Sequence, residues 1–218
     1  MDFKQLIDAN GHAEIPEGTE KINQRAFKEC KTLVSVTIPS SVTIIQRNAF
    51  EQCESLTSIT IPDSVEMIGP NCFKNCNNLT EVSLPKGIRI IDDGLFYGCK
   101  SLKEIVIPEP SSLKTIGPNA FAECKSLESI VIPPSVTKIG EGAFRDSGIK
   151  EFEIPETVKE IDSGAFRETE WYYWEFGPNF KLAYLLIGIL GPLGLKWIYD
   201  RIYISVGKLI QKRTASVK

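Results

Sequence analysis

The sequence predicts a repeat solenoid with a β-strand and a short helical turn in each repeat, followed by a C-terminal helical segment. Two independent markers with almost the same period predict it, because repeats of about 20 to 50 residues stack into solenoids. An Ile/Leu-Pro step recurs at intervals of 23, 23, 23, 23, 25 and 22 residues: Pro16, Pro39, Pro62, Pro85, Pro108, Pro133 and Pro155. A phenylalanine recurs at intervals of 23, 23, 23, 25, 23 and 22 residues: Phe27, Phe50, Phe73, Phe96, Phe121, Phe144 and Phe166.

Each repeat opens with the predicted strand, and the third copy shows the pattern clearly. Leu56, Ile59 and Ile61 are apolar, and the last two alternate with a polar residue. Such period-2 alternation is typical of a short, half-buried β-strand. Pro62 then ends the strand, because proline has no N–H to give to a ladder.

The rest of each repeat is a polar turn, an apolar pair and a closing Phe-x-x-Cys. In the third copy the apolar pair is Val65 and Ile68. Glycines follow the pair in three copies, at Gly69, Gly117 and Gly140, where we expect the backbone to need permissive dihedral angles. The Phe-x-x-Cys spacing fits one turn of helix. One copy cannot bury its apolar face alone, so stacking must align these residues in continuous columns.

The opening Leu-x-x-Leu-x-Leu pattern is the strand of a leucine-rich repeat. The continuation I-P-x-S-V-x-x-I-G-x-x-A-F-x-x-C-x-x-L closely resembles the BspA-like leucine-rich repeats of bacterial and protist proteins. The resemblance runs from about Ala13 to Glu170. It implies a curved solenoid with strands along one face, roles in adhesion and protein–protein contact, and no catalytic residues.

These observations divide the chain into three parts. Residues 1–12 are expected to form an N-terminal cap, because Phe3, Leu6 and Ile7 are interrupted by polar residues and do not resemble a signal peptide. Residues 13–170 form the solenoid of seven repeats. Residues 171–218 are expected to form a C-terminal hydrophobic helix and basic tail, either a membrane anchor or a cap. The two extra residues in the fifth interval fit Glu109-Pro110, and we expect them to bulge without consequence.

The strand residues that point away from the core line the presumed concave face, where a protein partner would bind. The side chains of this face are small and carry hydroxyl groups at one end, and they are more acidic at the other end. Alternatively, Ser, Thr and Val occupy these positions only because they suit exposed strands. The predicted partner-binding residues are Ser35, Thr37, Ser58, Thr60, Glu81, Ser83, Glu104, Val106, Ser129, Val131, Glu151 and Glu153.

The six cysteines are predicted to be buried core residues. Five of them lie three residues after a repeat phenylalanine, so they form a column with the period of the repeat. There is no C-x-x-C and the sole histidine is His12, so we expect no metal site and no cofactor. Neighbours in a column stack side by side, which does not suit the facing Cβ atoms of a disulfide.

No arrangement of residues in the sequence indicates an enzyme. A single histidine near the start leaves little basis for a Ser-His-Asp or Cys-His arrangement. Phosphate-binding glycine motifs are missing as well, and we expect no small-molecule substrate. Residues 1–170 carry 18 Lys and Arg against 26 Asp and Glu, a charge of −8, which argues against a nucleic-acid partner.

The C-terminal part is predicted to cross a membrane through residues 182–199. Fourteen uncharged residues lie between Lys181 and Lys196, and residues 182–199 would extend roughly 27 Å as a helix. Residues 171–218 carry 7 Lys and Arg against 2 Asp and Glu, the basic flank of a cytoplasmic side. Alternatively, the segment is a cap broken by its glycines and Pro192, and the topology stays open. The membrane-segment residues are Leu182, Leu185, Leu186, Ile189, Leu190, Leu193 and Trp197.

The sequence therefore predicts a non-catalytic module for protein–protein interaction or adhesion, anchored to a membrane at its C-terminus. A second hypothesis belongs to a different class of function. In it the solenoid is a structural subunit of a larger assembly, into which the C-terminal helix docks.

Overall fold

A computed structural model describes residues 3–151 and 153–169, and these residues form a β-solenoid. A short 3-10 helix, Phe3–Leu6, precedes the first strand. Each turn then contributes up to two strands. The first strands are β1 (His12–Glu14), β3 (Ser35–Thr37), β5 (Ser58–Thr60), β7 (Glu81–Ser83) and β9 (Glu104–Val106). The second strands are β2 (Lys21–Ile22), β4 (Ile44–Ile45), β6 (Met67–Ile68), β8 (Ile90–Ile91), β10 (Thr115–Ile116), β11 (Lys138–Ile139) and β12 (Glu160–Ile161).

Every strand pairs in parallel with the equivalent strand of at least one neighbouring turn. The first strands form the sheets β1-β3 and β5-β7-β9, and the second strands form β2-β4-β6 and β8-β10-β11-β12. The register follows the repeat, so that Ser58 lies opposite Glu81 and Glu81 lies opposite Glu104. Parallel strands lie about 4.8 Å apart, so one turn of chain adds one strand spacing to the stack.

The six-residue segment that closes each turn is not helical, so the predicted helical turn is wrong. Among residues 3–151 and 153–169 there is no α-helix. In the third turn Asn71 and Asn75 have φ angles of 56° and 59°, a left-handed conformation that a right-handed helix excludes. Phe73 N–H donates to Leu95 of the next turn at 2.9 Å, whereas Cys76 N–H donates back to Phe73 at 3.1 Å. The closing segment therefore bonds alternately to the next turn and to itself.

The three glycines that follow the apolar pair are needed for space and not for dihedral freedom. None of them has a positive φ angle. A Cβ at Gly69 would lie 2.6 Å from the backbone nitrogen of Arg47, and one at Gly140 would lie 2.7 Å from that of Pro118. At Gly117 the nearest atom would be the carbonyl oxygen of Ile91, at 2.8 Å. The backbones of successive turns approach closely here, which is a different reason from the one that we expected.

The core is built of columns, and the phenylalanine column runs through all seven turns. Neighbouring rings from Phe27 to Phe166 lie 5.2 to 5.5 Å apart, and no pair is tilted by more than 12°. Burying one such side chain contributes roughly 1.5 to 3 kcal/mol. At the N-terminal end the ring of Phe3 lies 5.8 Å from that of Phe27 at an angle of 56°, and it covers the first ring of the column.

The predicted C-terminal helix, the span through 182–199 and its seven named residues lie outside the described residues. The solenoid lies within the first of two compact units, Met1–Tyr172. In the part of the chain that the structure describes, no helix has the length and apolar character that a membrane crossing requires.

Candidate functional site

Each first strand turns its middle residue into the core and its two flanking residues outward. In β5, for example, Ile59 is buried whereas Ser58 and Thr60 are exposed. None of the twelve predicted partner-binding residues is buried, and only Ser35 and Ser83 are half-buried. The inside/outside assignment made from the alternation is therefore confirmed, whereas the binding role of these residues stays a prediction. We call the surface formed by the outward residues of these strands together with Ser129, Val131, Glu151 and Glu153 the strand-lined face.

The outward residues occupy equivalent positions of successive turns and so form two rows, which are in register wherever the first strands pair. The first row is His12, Ser35, Ser58, Glu81, Glu104, Ser129 and Glu151. The second row is Glu14, Thr37, Thr60, Ser83, Val106, Val131 and Glu153. The register pairs His12 with Ser35 and Glu14 with Thr37, so the rows begin one turn earlier than we predicted. The sequence could have identified these two residues, because they lie four and two residues before Pro16, just as Ser35 and Thr37 lie before Pro39.

His12 is held by the hydroxyls of the next turn at the start of the rows. Its Nδ1 lies 2.8 Å from Ser35 Oγ, and its Nε2 lies 3.2 Å from Thr37 Oγ1. A hydroxyl can both donate and accept, so these contacts suit either tautomer of the ring. The ring thereby joins the two rows and fixes the spacing of two hydroxyls at this end of the strand-lined face.

The acidic end of the strand-lined face has little compensation by cations. Glu81 and Glu104 lie in register on neighbouring strands, where like charges repel. Among the described residues neither has a lysine or arginine nitrogen within 4.0 Å, and the same holds for Glu151 and Glu153. In contrast, Glu128, which precedes Ser129 in the chain, forms an ion pair of 2.7 Å with Lys150 of the next turn.

The ladder of first strands is interrupted between β9 and residues 129–131. Residues 129–131 lie one turn after β9 but do not form a strand. At the other steps between first-strand segments, the backbone N–H that precedes the strand donates to the turn before it. These bonds run from Val34 to Gly11 (2.7 Å), Thr57 to Val34 (3.3 Å), Thr80 to Thr57 (2.9 Å), Lys103 to Thr80 (2.9 Å) and Lys150 to Glu128 (3.0 Å).

Between residues 3 and 151, only the bond from Glu128 to Lys103 is missing from this series. The first strands are also unpaired between β3 and β5, but there the bond from Thr57 remains. The second strands β10 and β11 stay paired across the same pair of turns. We call the place between β9 and residues 129–131 the interrupted step.

The two-residue insertion at Glu109-Pro110 lies in the turn next to the interrupted step and accounts for it. Elsewhere a serine after the proline bonds to the turn before it, as Ser41 does to Thr19 at 3.0 Å and Ser64 does to Val42 at 2.8 Å. The equivalent hydroxyl of Ser135 is buried without a partner. The insertion therefore changes contacts between turns, contrary to our expectation that it would bulge without consequence.

The cysteines lie in the core, away from the strand-lined face. All six are buried free thiols. Cys53 Sγ donates to the carbonyl oxygen of Phe27 at 3.1 Å, and Cys76, Cys99 and Cys124 repeat this contact one turn at a time. Burial raises the pKa of Cys53 to about 12, because the thiolate would lose its hydration. Within the described residues, no group of His, Cys, Asp and Glu is placed to hold a metal ion.

The chain belongs to the BspA-type leucine-rich repeat family. The model of the BspA type leucine rich repeat region matches residues 10–110 and 91–182 in 6 copies. The match covers most of the chain and confirms the resemblance seen in the repeat pattern. No curated protein matches the chain.

Three solved bacterial proteins have similar folds. A leucine-rich repeat protein from Eubacterium ventriosum is 27% identical with a TM-score of 0.68, over 73% of this chain and 43% of its own. One from Bacteroides ovatus is 34% identical with a TM-score of 0.55, over 69% and 44%. A leucine rich cell surface protein from Faecalibacterium prausnitzii is 30% identical with a TM-score of 0.51, over 72% and 51%. The chain thus spans about half or less of each solved protein.

Proposed function

We propose that this protein is a non-catalytic binding module that contacts a partner protein or a host surface through the strand-lined face. The observation that carries the proposal is the pair of exposed rows, which hold side chains at fixed intervals on a packed core. Such a surface is pre-organised, so little conformational entropy is lost on binding. Hydroxyl side chains predominate in the second and third turns, and carboxylates are more frequent towards the other end, which gives the surface a direction that a partner can recognise.

The family supports a binding role, and one similar structure supports a surface location. Leucine-rich repeat proteins generally bind proteins, and the protein from Faecalibacterium prausnitzii is described as a leucine rich cell surface protein. We therefore propose adhesion or surface contact for this chain as well. Since the chain spans only about half of that protein, the location is an inference from a shared repeat region.

We further propose that residues 182–199 anchor the protein in a membrane. The proposal rests on the apolar run and its basic flank in the sequence. Full-length protein and a 1–170 truncation can be compared by membrane fractionation with alkaline carbonate extraction. We expect the full-length protein to resist extraction and the truncation to be soluble. Release of the full-length protein by carbonate would contradict the anchor.

A photo-crosslinking experiment tests the face itself. A photoreactive amino acid is placed at Thr60 or Val131 on the strand-lined face, and at the exposed Met67 on a second strand as the matched control. In the native cells, we expect both face positions to form adducts with the same protein and Met67 to form none. Adducts from Met67 alone would place the binding surface on the second strands and end the proposal.

The structural-subunit hypothesis predicts a different result from purification. A subunit of a fixed assembly co-purifies with its neighbours at constant stoichiometry and loses stability when they are removed. A binding module folds alone and exchanges its partner. Size-exclusion chromatography of the purified chain, followed by a denaturant melt, separates the two hypotheses.

A further inference from the structure

The second strands carry a row of exposed aliphatic side chains. Met67 and Ile90 occupy equivalent positions at the start of β6 and β8, and each is 51% exposed. Ile44 lies in register with Met67 and is half-buried. β6 and β8 are not joined in a sheet, but their turns are stacked, because Phe73 and Phe96 lie 5.4 Å apart. Apolar surface is therefore open over three consecutive turns.

The charges beside this row change sign along the stack. The residue before each second strand is exposed in all seven turns, acidic or neutral as far as β6 and basic or neutral from β8 onward. In chain order these residues are Glu20, Thr43, Glu66, Arg89, Lys114, Thr137 and Lys159. The first residues of the strands are Lys21, Ile44, Met67, Ile90, Thr115, Lys138 and Glu160. We call these two rows together the second-strand face.

The charges on either side of the change of sign are not used within the chain. Among the described residues, Glu20, Glu66, Arg89 and Lys114 form no ion pair. Arg89 and Lys114 lie side by side where β8 pairs with β10, so their like charges repel. A surface of opposite charge would relieve this repulsion. The second-strand face therefore fits a partner that is basic along one half and acidic along the other.

A second copy of the chain has this distribution of charge. A two-fold axis that runs along the strands, between the turns of Met67 and Ile90, brings the two faces together with their turns in reverse order. Met67 of each copy then lies opposite Ile90 of the other, and Glu66 lies opposite Arg89. Because the interface is two-fold, each contact is made twice. The aliphatic residues form its centre, and the charged residues flank them, as in other protein interfaces.

We propose that the protein forms a homodimer through the second-strand face, with the turns of the two copies in reverse order. One like-charge encounter remains, between Lys21 and Lys138 of the second copy. Lys138 is already paired with Glu160 at 3.1 Å and with Asp162 at 3.6 Å, which reduces the repulsion. This inference does not depend on the proposed function, because the two faces belong to different strands of each turn.

The size of the second-strand face determines how tight the dimer is. Six overlapping turns, about 4.8 Å apart, and a width of about four residues give a flat area of roughly 400 Å² per copy. This area lies at the low end of specific interfaces, where complexes are transient. We therefore expect a dimer that dissociates on dilution, and its affinity must be measured over a range of concentrations.

Exchange of charges tests the opposition of Glu66 and Arg89. Sedimentation equilibrium of the full chain in density-matched detergent measures the affinity of the dimer. Glu66→Arg and Arg89→Glu should each weaken the dimer by about tenfold, because like charges then meet twice. The chain that carries both changes should regain the affinity, since opposite charges meet again and the net charge equals that of the natural chain.

A matched control separates local pairing from net charge. Glu81→Arg makes the same charge change on the strand-lined face and should leave the affinity of the dimer unchanged. An equal loss in Glu66→Arg and Glu81→Arg overturns the proposal. A double variant as weak as the single variants, or a natural chain that sediments as a monomer at every concentration, overturns it as well.

Disulfide trapping tests the reverse order of the turns. Thr43 of one copy faces Lys114 of the other, whereas the two copies of Thr43 are separated by three strand spacings, roughly 14 Å, beyond the reach of a disulfide. Full chains of different tag length that carry Thr43→Cys or Lys114→Cys are mixed and oxidised, and the six native thiols are buried. We expect linked dimers that contain one chain of each kind. No linkage in the mixture, or equal linkage of Thr43→Cys alone, overturns the proposal.

The dimer and the partner at the strand-lined face can fail separately. An adduct of Met67 with a second copy has the mass of two chains, so it is distinct from an adduct with a partner protein. If Met67 instead crosslinks to a different protein and the chain does not self-associate, that protein covers the aliphatic row and the dimer is wrong.

Discussion

The closing segments and the strand-lined face follow opposite rules, although both repeat with the same period. The phenylalanine position is the same in all seven turns, and its rings stack without a gap. The two outward rows, in contrast, change from Ser and Thr to Glu and Val along the stack. A side chain in a buried column must pack against identical side chains in the turns above and below it. A side chain in an outward row has packing partners on only some of its sides.

We therefore expect substitutions in a buried column to change the stability of the fold, and substitutions in an outward row to change binding. A substitution in a column disturbs the packing of two neighbouring turns, because the packing there is as dense as in an organic crystal. A change in an outward row mainly alters what a partner meets. The predictions below test the division, beginning with the largest expected effect on stability.

Phe73→Ala should cause the largest loss. The ring is fully buried and stacks at 5.4 Å on both Phe50 and Phe96. Removing it leaves a cavity that costs about 3–5 kcal/mol. Thr60→Ala on the strand-lined face is the control and should cost no more than about 0.5 kcal/mol. Denaturant melts of both variants measure the contrast, and equal losses would contradict the division between column and face.

Gly117→Ala should destabilise the protein by about 1–3 kcal/mol, because the added methyl group meets the backbone of the preceding turn. Gly87→Ala is the matched control, since no atom lies within 4 Å of the methyl position. There the loss of freedom in the unfolded chain should leave stability unchanged or raise it by up to about 1 kcal/mol. Thermal unfolding of the pair measures the difference, and a neutral Gly117→Ala would show that the turns can move apart.

Gln52→Gly should stabilise the protein by about 1 kcal/mol. Gln52 has a φ angle of 59°, and the equivalent position one turn later is Asn75, then Gly98. Glycine adopts this left-handed conformation without steric cost, whereas for other residues the conformation costs about 1–2 kcal/mol. Gln52→Ala keeps the strain and should not stabilise. A gain in both variants would trace the effect to the lost side chain instead.

Ser147→Cys should stabilise the protein by about 1 kcal/mol. Ser147 takes the place of cysteine in the sixth turn, and its buried hydroxyl has no hydrogen-bond partner. A thiol is larger and less polar, so it fills the column at a lower desolvation cost. Ser147→Ala removes the hydroxyl without filling the space and should gain less. The order of the two midpoints in urea checks the argument.

Asp63→Asn should have the smallest effect, and one that depends on pH. The Asp63 carboxylate accepts the Lys86 N–H at 3.0 Å, which lowers the pKa of this carboxyl group, and Lys86 Nζ lies 3.2 Å away. A depressed pKa stabilises the fold above the unfolded value of about 3.9, and this contribution is lost as pH falls through the folded value. We therefore expect a slightly lower midpoint for the variant at pH 6 and no difference in strong acid. A constant difference at all pH values would exclude ionisation as its cause.

The sequence predicted the solenoid, the strand alternation and the outward residues, because these depend on a period that the chain repeats many times. The helical turn was wrong because Phe-x-x-Cys spacing fits a helix without requiring one. The recurring Asn48, Asn71, Gly94, Asn119 and Gly142 were the available signal, since asparagine and glycine favour left-handed backbone. The interrupted step could not be predicted, because the effect of an insertion depends on which contacts between turns survive it.

The column of buried thiols has a consequence for measuring local opening. Four of them, Cys53, Cys76, Cys99 and Cys124, each donate to a carbonyl of the turn before and are buried. An alkylating reagent reacts only with an exposed thiolate, so modification requires that particular turn to open. The alkylation rate of each cysteine, followed by mass spectrometry, would therefore give the opening free energy of its own turn. The protein thus carries a row of built-in reporters along which fraying can be mapped without adding a label.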